Sequence, residues 1–137
     1  MKIKKLALVL MFTPILAFAG KAERDFVSSE VEPAVKEAIA SYKSSCGCDV
    51  AFDIKFDTFK NIDELRTIKY FATSINDGAQ SYCNDQASKD AMCELKTIEL
   101  SVSDTATFEF KDGKGIATTD SYSASPSWEM ITNAVDK

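Results

Sequence analysis

The feature that most limits how this chain can fold is its set of four cysteines: Cys46, Cys48, Cys83 and Cys93. If they form two disulfides, segments that are distant in sequence must meet at one corner. A bond between Cys46 and Cys48 would close a small, strained ring across one glycine, so the two long-range pairings remain. We prefer Cys46–Cys83 with Cys48–Cys93, and the crossed pairing stays open. Each bridge would stabilise the fold by about 2–4 kcal/mol.

The N-terminal residues predict that the protein is exported. Export favours the interpretation of the cysteines as disulfides. Three lysines precede an apolar stretch over residues 6–18, which ends in the A-x-A pattern Ala17-Phe18-Ala19. We therefore expect residues 1–19 to be a cleaved secretory signal peptide. An apolar stretch of about thirteen residues is shorter than the roughly twenty that span a bilayer, so no membrane span is expected. The expected location is the periplasm, or beyond it the extracellular space, where disulfides persist.

Removal of residues 1–19 would leave 118 of the 137 residues, which fits one domain over residues 20–137. The leader carries three lysines and no acidic residue, so the net charge would change from −5 to −8. This acidic balance argues against nucleic-acid binding, which needs a basic face. The chain has no histidine, which excludes Ser-His-Asp and Cys-His catalysis and histidine-ligated zinc.

Hydrophobic periodicity predicts three helices. The first covers residues 29–44, with Ser29 and Glu32 as a capping box and Pro33 near its start; residues 21–28 are expected to be frayed. The second begins after Asn61 and stops or bends at Asn76-Asp77-Gly78. The last has Ser125 as its cap and Pro126 at its first helical position.

Alternating apolar residues predict four strands. The first covers residues 49–59, and the other three follow in sequence between residues 97 and 119. A loop at 103–105 would place Leu100 opposite Phe108, and the Asp112-Gly113 turn would place Phe108 opposite Ala117. The order α-β-α-β-β-β-α predicts a single α+β domain, with an antiparallel sheet of about four strands under helices.

No set of residues in the chain indicates catalysis, a metal or a cofactor. There is no Ser-x-x-Lys, G-x-S-x-G, phosphate loop or dinucleotide motif. The cysteines lack the C-x2-C spacing that four-cysteine zinc sites favour. We therefore expect a protein that is not an enzyme and carries no cofactor.

Five residues are candidates for contact with a partner. Asp53 and Asp57 lie with Lys55 on the outward side of the first strand, and Phe59 has the same parity. Tyr82 and Asp85 belong to the polar segment 77–94, whose residues 79–94 are partly helix-like in pattern and which we expect to be a surface loop held by the disulfides. Exposed aromatic residues favour partner surfaces.

The leading hypothesis is an exported binding protein of inhibitor or immunity type. It would occlude the active site of a toxic or lytic envelope-acting enzyme, and its acidic charge favours a basic partner. One alternative is a small-ligand-binding or hydrolytic protein with a pocket between sheet and helices. Another is a structural or assembly subunit of the envelope, in which an exposed strand edge would allow a homodimer.

Overall fold

The computed structural model describes residues 20–120 and 125–136, so the predicted signal peptide at residues 1–19 lies outside the described residues. A four-stranded sheet in this part of the chain carries helices on one face, which confirms the α+β class. The helices are α1 (Lys21–Phe26), α2 (Glu32–Cys46), α3 (Ile62–Tyr82), α4 (Gln86–Met92) and α5 (Trp128–Val135). The strands are β1 (Ala51–Ile54), β2 (Thr97–Val102), β3 (Thr107–Lys111) and β4 (Lys114–Thr119).

The sheet is mixed, and the predicted antiparallel arrangement is wrong for β2. The spatial order is β1-β2-β4-β3, with β2 parallel to both of its neighbours. Leu100 therefore lies beside Ala117 and not opposite Phe108. The β3–β4 hairpin is as predicted, with Phe108 paired to Ala117.

Strand β4 lies between β2 and β3, where Gly115 leaves room for larger neighbouring side chains. Gly115 lies on the inward side, where an added Cβ would be 2.5 Å from the Phe108 ring and 3.0 Å from Leu95. Residues 103–106 cross the end of β4, and the Ser103 N–H donates to the Thr119 carbonyl at 2.8 Å. The predicted antiparallel order and the observed mixed order place the same apolar residues on the inward face. The alternation of apolar residues in the sequence therefore does not distinguish the two orders.

The N-terminal helix begins earlier than predicted. Residues 21–28 are helical, and a π-helical turn at Val27–Val31 joins α1 to α2. The widened turn accommodates Pro33, which has no N–H to donate and would clash with a carbonyl one turn earlier. Val27 and Val31 are buried, so burial holds this segment in helical form. Ser29 donates to the Asp25 carbonyl at 2.8 Å and does not cap a helix.

The two disulfides are Cys46–Cys83 and Cys48–Cys93, the pairing that the sequence analysis preferred. Gly47 between them has a φ of 89°, a left-handed conformation that ends α2. The bridges join this corner to the end of α3 and to the residue after α4. Nearby, the buried Tyr42 hydroxyl donates to the Met92 carbonyl at 2.5 Å.

Helix α3 begins at the predicted cap but does not stop at Gly78. The Asn61 side chain accepts from the Glu64 N–H at 2.9 Å, and the helix continues to Tyr82. An added Cβ on Gly78 would lie 2.2 Å from two ring atoms of Trp128. Gly78 therefore provides the space in which Trp128 docks α5 onto α3. Ser127, and not the predicted Ser125, caps α5 by accepting from the Met130 N–H at 3.2 Å.

Replacing Gly78 with alanine is expected to destabilise the fold. Alanine favours an exposed helix interior by about 1 kcal/mol over glycine, but the clash with Trp128 should cost about 1–3 kcal/mol or more. In a Trp128→Ala background the clash is absent, so Gly78→Ala should then be neutral or stabilising. A double-mutant cycle measured by urea unfolding checks this sign reversal. Equal effects in both backgrounds would contradict the proposed role of Gly78.

Tyr42→Phe is expected to lower the free energy of unfolding by about 1–3 kcal/mol, because the buried Met92 carbonyl loses its donor. Burial also raises the pKa of Tyr42 above its ordinary value. The unfolded chain releases this proton near pH 10 and the folded chain does not, so this contribution to stability is complete below about pH 10 and declines above it. The stability gap between wild type and Tyr42→Phe should therefore narrow between pH 9 and about pH 11. A gap that does not change with pH would contradict this account of Tyr42.

Candidate protein-binding surface

The outward face of the sheet is the candidate site. The register aligns Asp53 of β1, Glu99 of β2, Ile116 of β4 and Glu109 of β3 in one row across the four strands. Neighbouring strands are about 4.8 Å apart, so the row extends over roughly 15 Å. Side chains on this face are exposed or half-buried, whereas those on the helix-facing side of the central strands are buried, except for the half-buried Val102. We call this surface the acidic sheet face.

Three lysines, Lys55, Lys111 and Lys114, share the face with this row, and two of them form ion pairs with it. Lys55 Nζ is 3.1 Å from Asp53 Oδ2, and Lys114 Nζ is 3.0 Å from Glu99 Oε1. The hydrogen bond and charge of Asp53 raise the pKa of Lys55 above its ordinary value, with smaller contributions from Glu99 and Asp57. Because Asp53 and Glu99 are direct neighbours on parallel strands, their like charges disfavour the folded state and the lysines partly offset this.

Ile116 provides an apolar contact point near the middle of the face. Its side chain is 39 % exposed and has Glu99 on one side and Glu109 on the other. Single exposed apolar residues are common on protein surfaces. An apolar centre with a charged surround is also the usual composition of a protein–protein interface.

Of the predicted partner-binding residues, Asp53 and Asp57 lie at this part of the molecule. Asp53 is half-buried on the acidic sheet face, and Asp57 is exposed in a 3-10 turn at Phe56–Thr58. The strand ends earlier than predicted, at Ile54, and this turn changes the direction of the chain. As a result Phe59, which was expected to face outward, is only 7 % exposed and belongs to the core.

Tyr82 and Asp85 lie elsewhere and have structural contacts. Tyr82 is the last residue of α3 and Asp85 follows soon after it. The 21 residues of α3 span about 30 Å, which separates both from Asp57 near the start of the helix. The Tyr82 hydroxyl donates to Asp136 at 2.6 Å, which raises the pKa of Tyr82, and its ring packs edge-on against Trp128. Asp85 caps α4 by accepting from Ser88, and these hydrogen bonds lower the pKa of Asp85.

The predicted loop at 77–94 is therefore largely helical, since α3 and α4 occupy most of it. Conversely, sequence reasoning missed Glu99, Glu109 and Ile116 as parts of one surface. Their outward parity was readable from alternation, but their alignment depends on the strand order.

The described residues lack two features that would indicate other functions. Residues 20–120 and 125–136 contain no group of three or more cysteine or acidic side chains placed to hold a metal ion. The same residues include no helix that is long and apolar enough to cross a membrane. In comparisons with known proteins, no family model, curated protein or solved structure matches the chain.

Neutralising single carboxylates of the acidic sheet face is expected to leave the fold intact. Asp53→Asn, Glu99→Gln and Glu109→Gln should each change the free energy of unfolding by less than about 1 kcal/mol, because surface ion pairs contribute little. Chemical unfolding with circular dichroism checks this. A loss of several kcal/mol would show that the row maintains the sheet and is a poor candidate for partner contact.

Proposed function

We propose that this protein is an exported, non-enzymatic binding protein of inhibitor or immunity type. It neutralises a toxic or lytic enzyme of the cell envelope by covering that enzyme's active site with the acidic sheet face. The single observation that supports this is the row of Asp53, Glu99 and Glu109 around the exposed Ile116. Asp53 and Glu99 lie side by side although like charges on adjacent strands cost stability, and Glu109 lies on the other side of Ile116; such a cost is expected where a surface is arranged for binding.

Electrostatics favours a basic partner. An acidic chain attracts cationic proteins before contact and so raises the association rate, an effect that weakens with salt. On contact, arginine or lysine side chains of the partner would pair with carboxylates of the row. Ile116 would exclude water at the centre of the contact.

The size of the face sets a further requirement. Four strands at about 4.8 Å and five residues at about 3.3 Å give roughly 300 Å². A standard interface buries about 800 Å² on each partner. The contact must therefore extend beyond the sheet, and the exposed segments that adjoin it are the turn with Asp57 and residues 103–105.

Affinity capture with residues 20–137 tests the proposal. Wild type should retain a basic protein from a periplasmic extract, and retention should fall as salt is raised. The triple variant Asp53→Asn, Glu99→Gln and Glu109→Gln should bind the purified partner at least about tenfold more weakly. A control with the same charge change neutralises three exposed carboxylates on the helical side, at Glu37, Asp77 and Glu94, and should bind as wild type does.

The purified partner then decides between inhibition and simple binding. Its enzymatic or lytic activity should fall to background at one equivalent of this protein. Binding without loss of activity would contradict the inhibitor proposal. Equal weakening by the triple variant and its control, or binding insensitive to salt, would show that the acidic sheet face is not the contact surface.

A further inference from the structure

The edge strand β3 has backbone groups that point out of the sheet. Its hairpin turn has positive φ at Asp112 (53°) and Gly113 (83°), the conformation of a two-residue primed turn. In such a hairpin the closing pair, Lys111 and Lys114, is hydrogen-bonded. Bonded and non-bonded pairs alternate along an antiparallel ladder, so the residues between the bonded ones direct their N–H and C=O groups away from β4.

The residues with outward backbone groups are Phe108 and Phe110. Among residues 20–120 and 125–136, no hydrogen-bond partner lies on that side of either residue. Strand β3 lacks a proline or a bulge, two features that often protect an edge, although it is short, carries two charged side chains and has α5 packed against it. The opposite edge, β1, is only four residues long and is followed by the 3-10 turn. Within the described residues, β3 is therefore the longer of the two edge strands, and its outward backbone groups are unpaired.

The charges on β3 indicate what can pair with it. The whole chain has a net charge of −5, yet the strand itself is neutral because Glu109 and Lys111 offset each other. Both side chains are exposed on the same face of the sheet. A second copy of the strand, running antiparallel, presents the same two charges in reverse order. Two such copies are related by a two-fold axis. If this axis passes between the two Phe110 residues, each Glu109 lies opposite Lys111 of the second copy.

We propose that two copies of this chain associate through β3, in the antiparallel register centred on Phe110. A register centred on Glu109 would instead bring the two Glu109 carboxylates together, which is destabilising. In the proposed register, backbone hydrogen bonds join the two Phe110 residues across the axis. The Phe110 side chain is half-buried in one copy and becomes further covered by its equivalent.

The resulting assembly is a continuous sheet of eight strands. Because the two-fold axis is perpendicular to the sheet, the helices of both copies lie on one side and the two acidic sheet faces on the other. This arrangement requires only the β3 edge and does not depend on the proposed inhibitory function.

Sedimentation equilibrium of purified residues 20–137, up to about 1 mM, tests the association without any other protein. Wild type should form dimers. Residue 109 of each copy lies opposite residue 111 of the other. Lys111→Glu or Glu109→Lys alone places like charges at both of these pairs and should weaken the dimer about tenfold or more. The double variant Glu109→Lys with Lys111→Glu restores opposite charges and should dimerise as wild type does. Lys36→Glu and Glu37→Lys, exposed on α2, are controls with matched charge changes and should have no effect.

Each alternative result has a defined meaning. A wild-type chain that stays monomeric over this range overturns the proposal. If the single variants dimerise as wild type does, the copies do not associate through β3. If the single variants weaken the dimer and the double variant does not restore it, the register centred on Phe110 is wrong. Circular dichroism and thermal unfolding of every variant ensure that the comparison is made between folded proteins.

Discussion

The rest of the structure depends on the crosslinked corner at Cys46-Gly47-Cys48. There the end of α2 turns through a left-handed glycine, and two bridges bring in the end of α3 and the residue after α4. The buried hydrogen bond from Tyr42 to Met92 holds the same region from inside. With these elements fixed together, α3 lies along the inward side of the sheet, where Phe71 packs edge-on against Phe52. The sheet is thus covered on one side and leaves the other to solvent.

The sequence correctly predicted those elements whose formation depends on interactions between adjacent residues. The cap at Asn61 and the Asp112-Gly113 hairpin depend on a few adjacent residues, and both occur as predicted. The predictions that were wrong depend on distant residues. Gly78 does not end α3 but lies inside it, where it leaves space for Trp128, fifty residues later. The position of β4 between β2 and β3 changes no side chain's parity, so alternation could not reveal it.

The same distinction applies to the candidate surface. Alternation correctly placed Asp53 on the outward side of β1, but it also placed Phe59 outward, because the turn at Phe56–Thr58 was not foreseen. Glu99, Ile116 and Glu109 become one row with Asp53 only through the parallel pairing of β2 with β4. Which residues of the four strands form one surface depends on the order in which the strands pair. It could be inferred from the sequence only as four separate outward-facing residues.

The strand order also affects when the sheet can be completed. Strand β4 occupies the place beside β2, yet it follows β3 in the chain. A chain that emerges N-terminus first therefore presents β2 with one unpaired backbone edge until residues 114–119 arrive. During that interval β3 is the antiparallel competitor nearest in sequence, and it must leave or avoid this position for β4 to insert. The topology thus favours late closure of the sheet, after nearly the whole domain has been released.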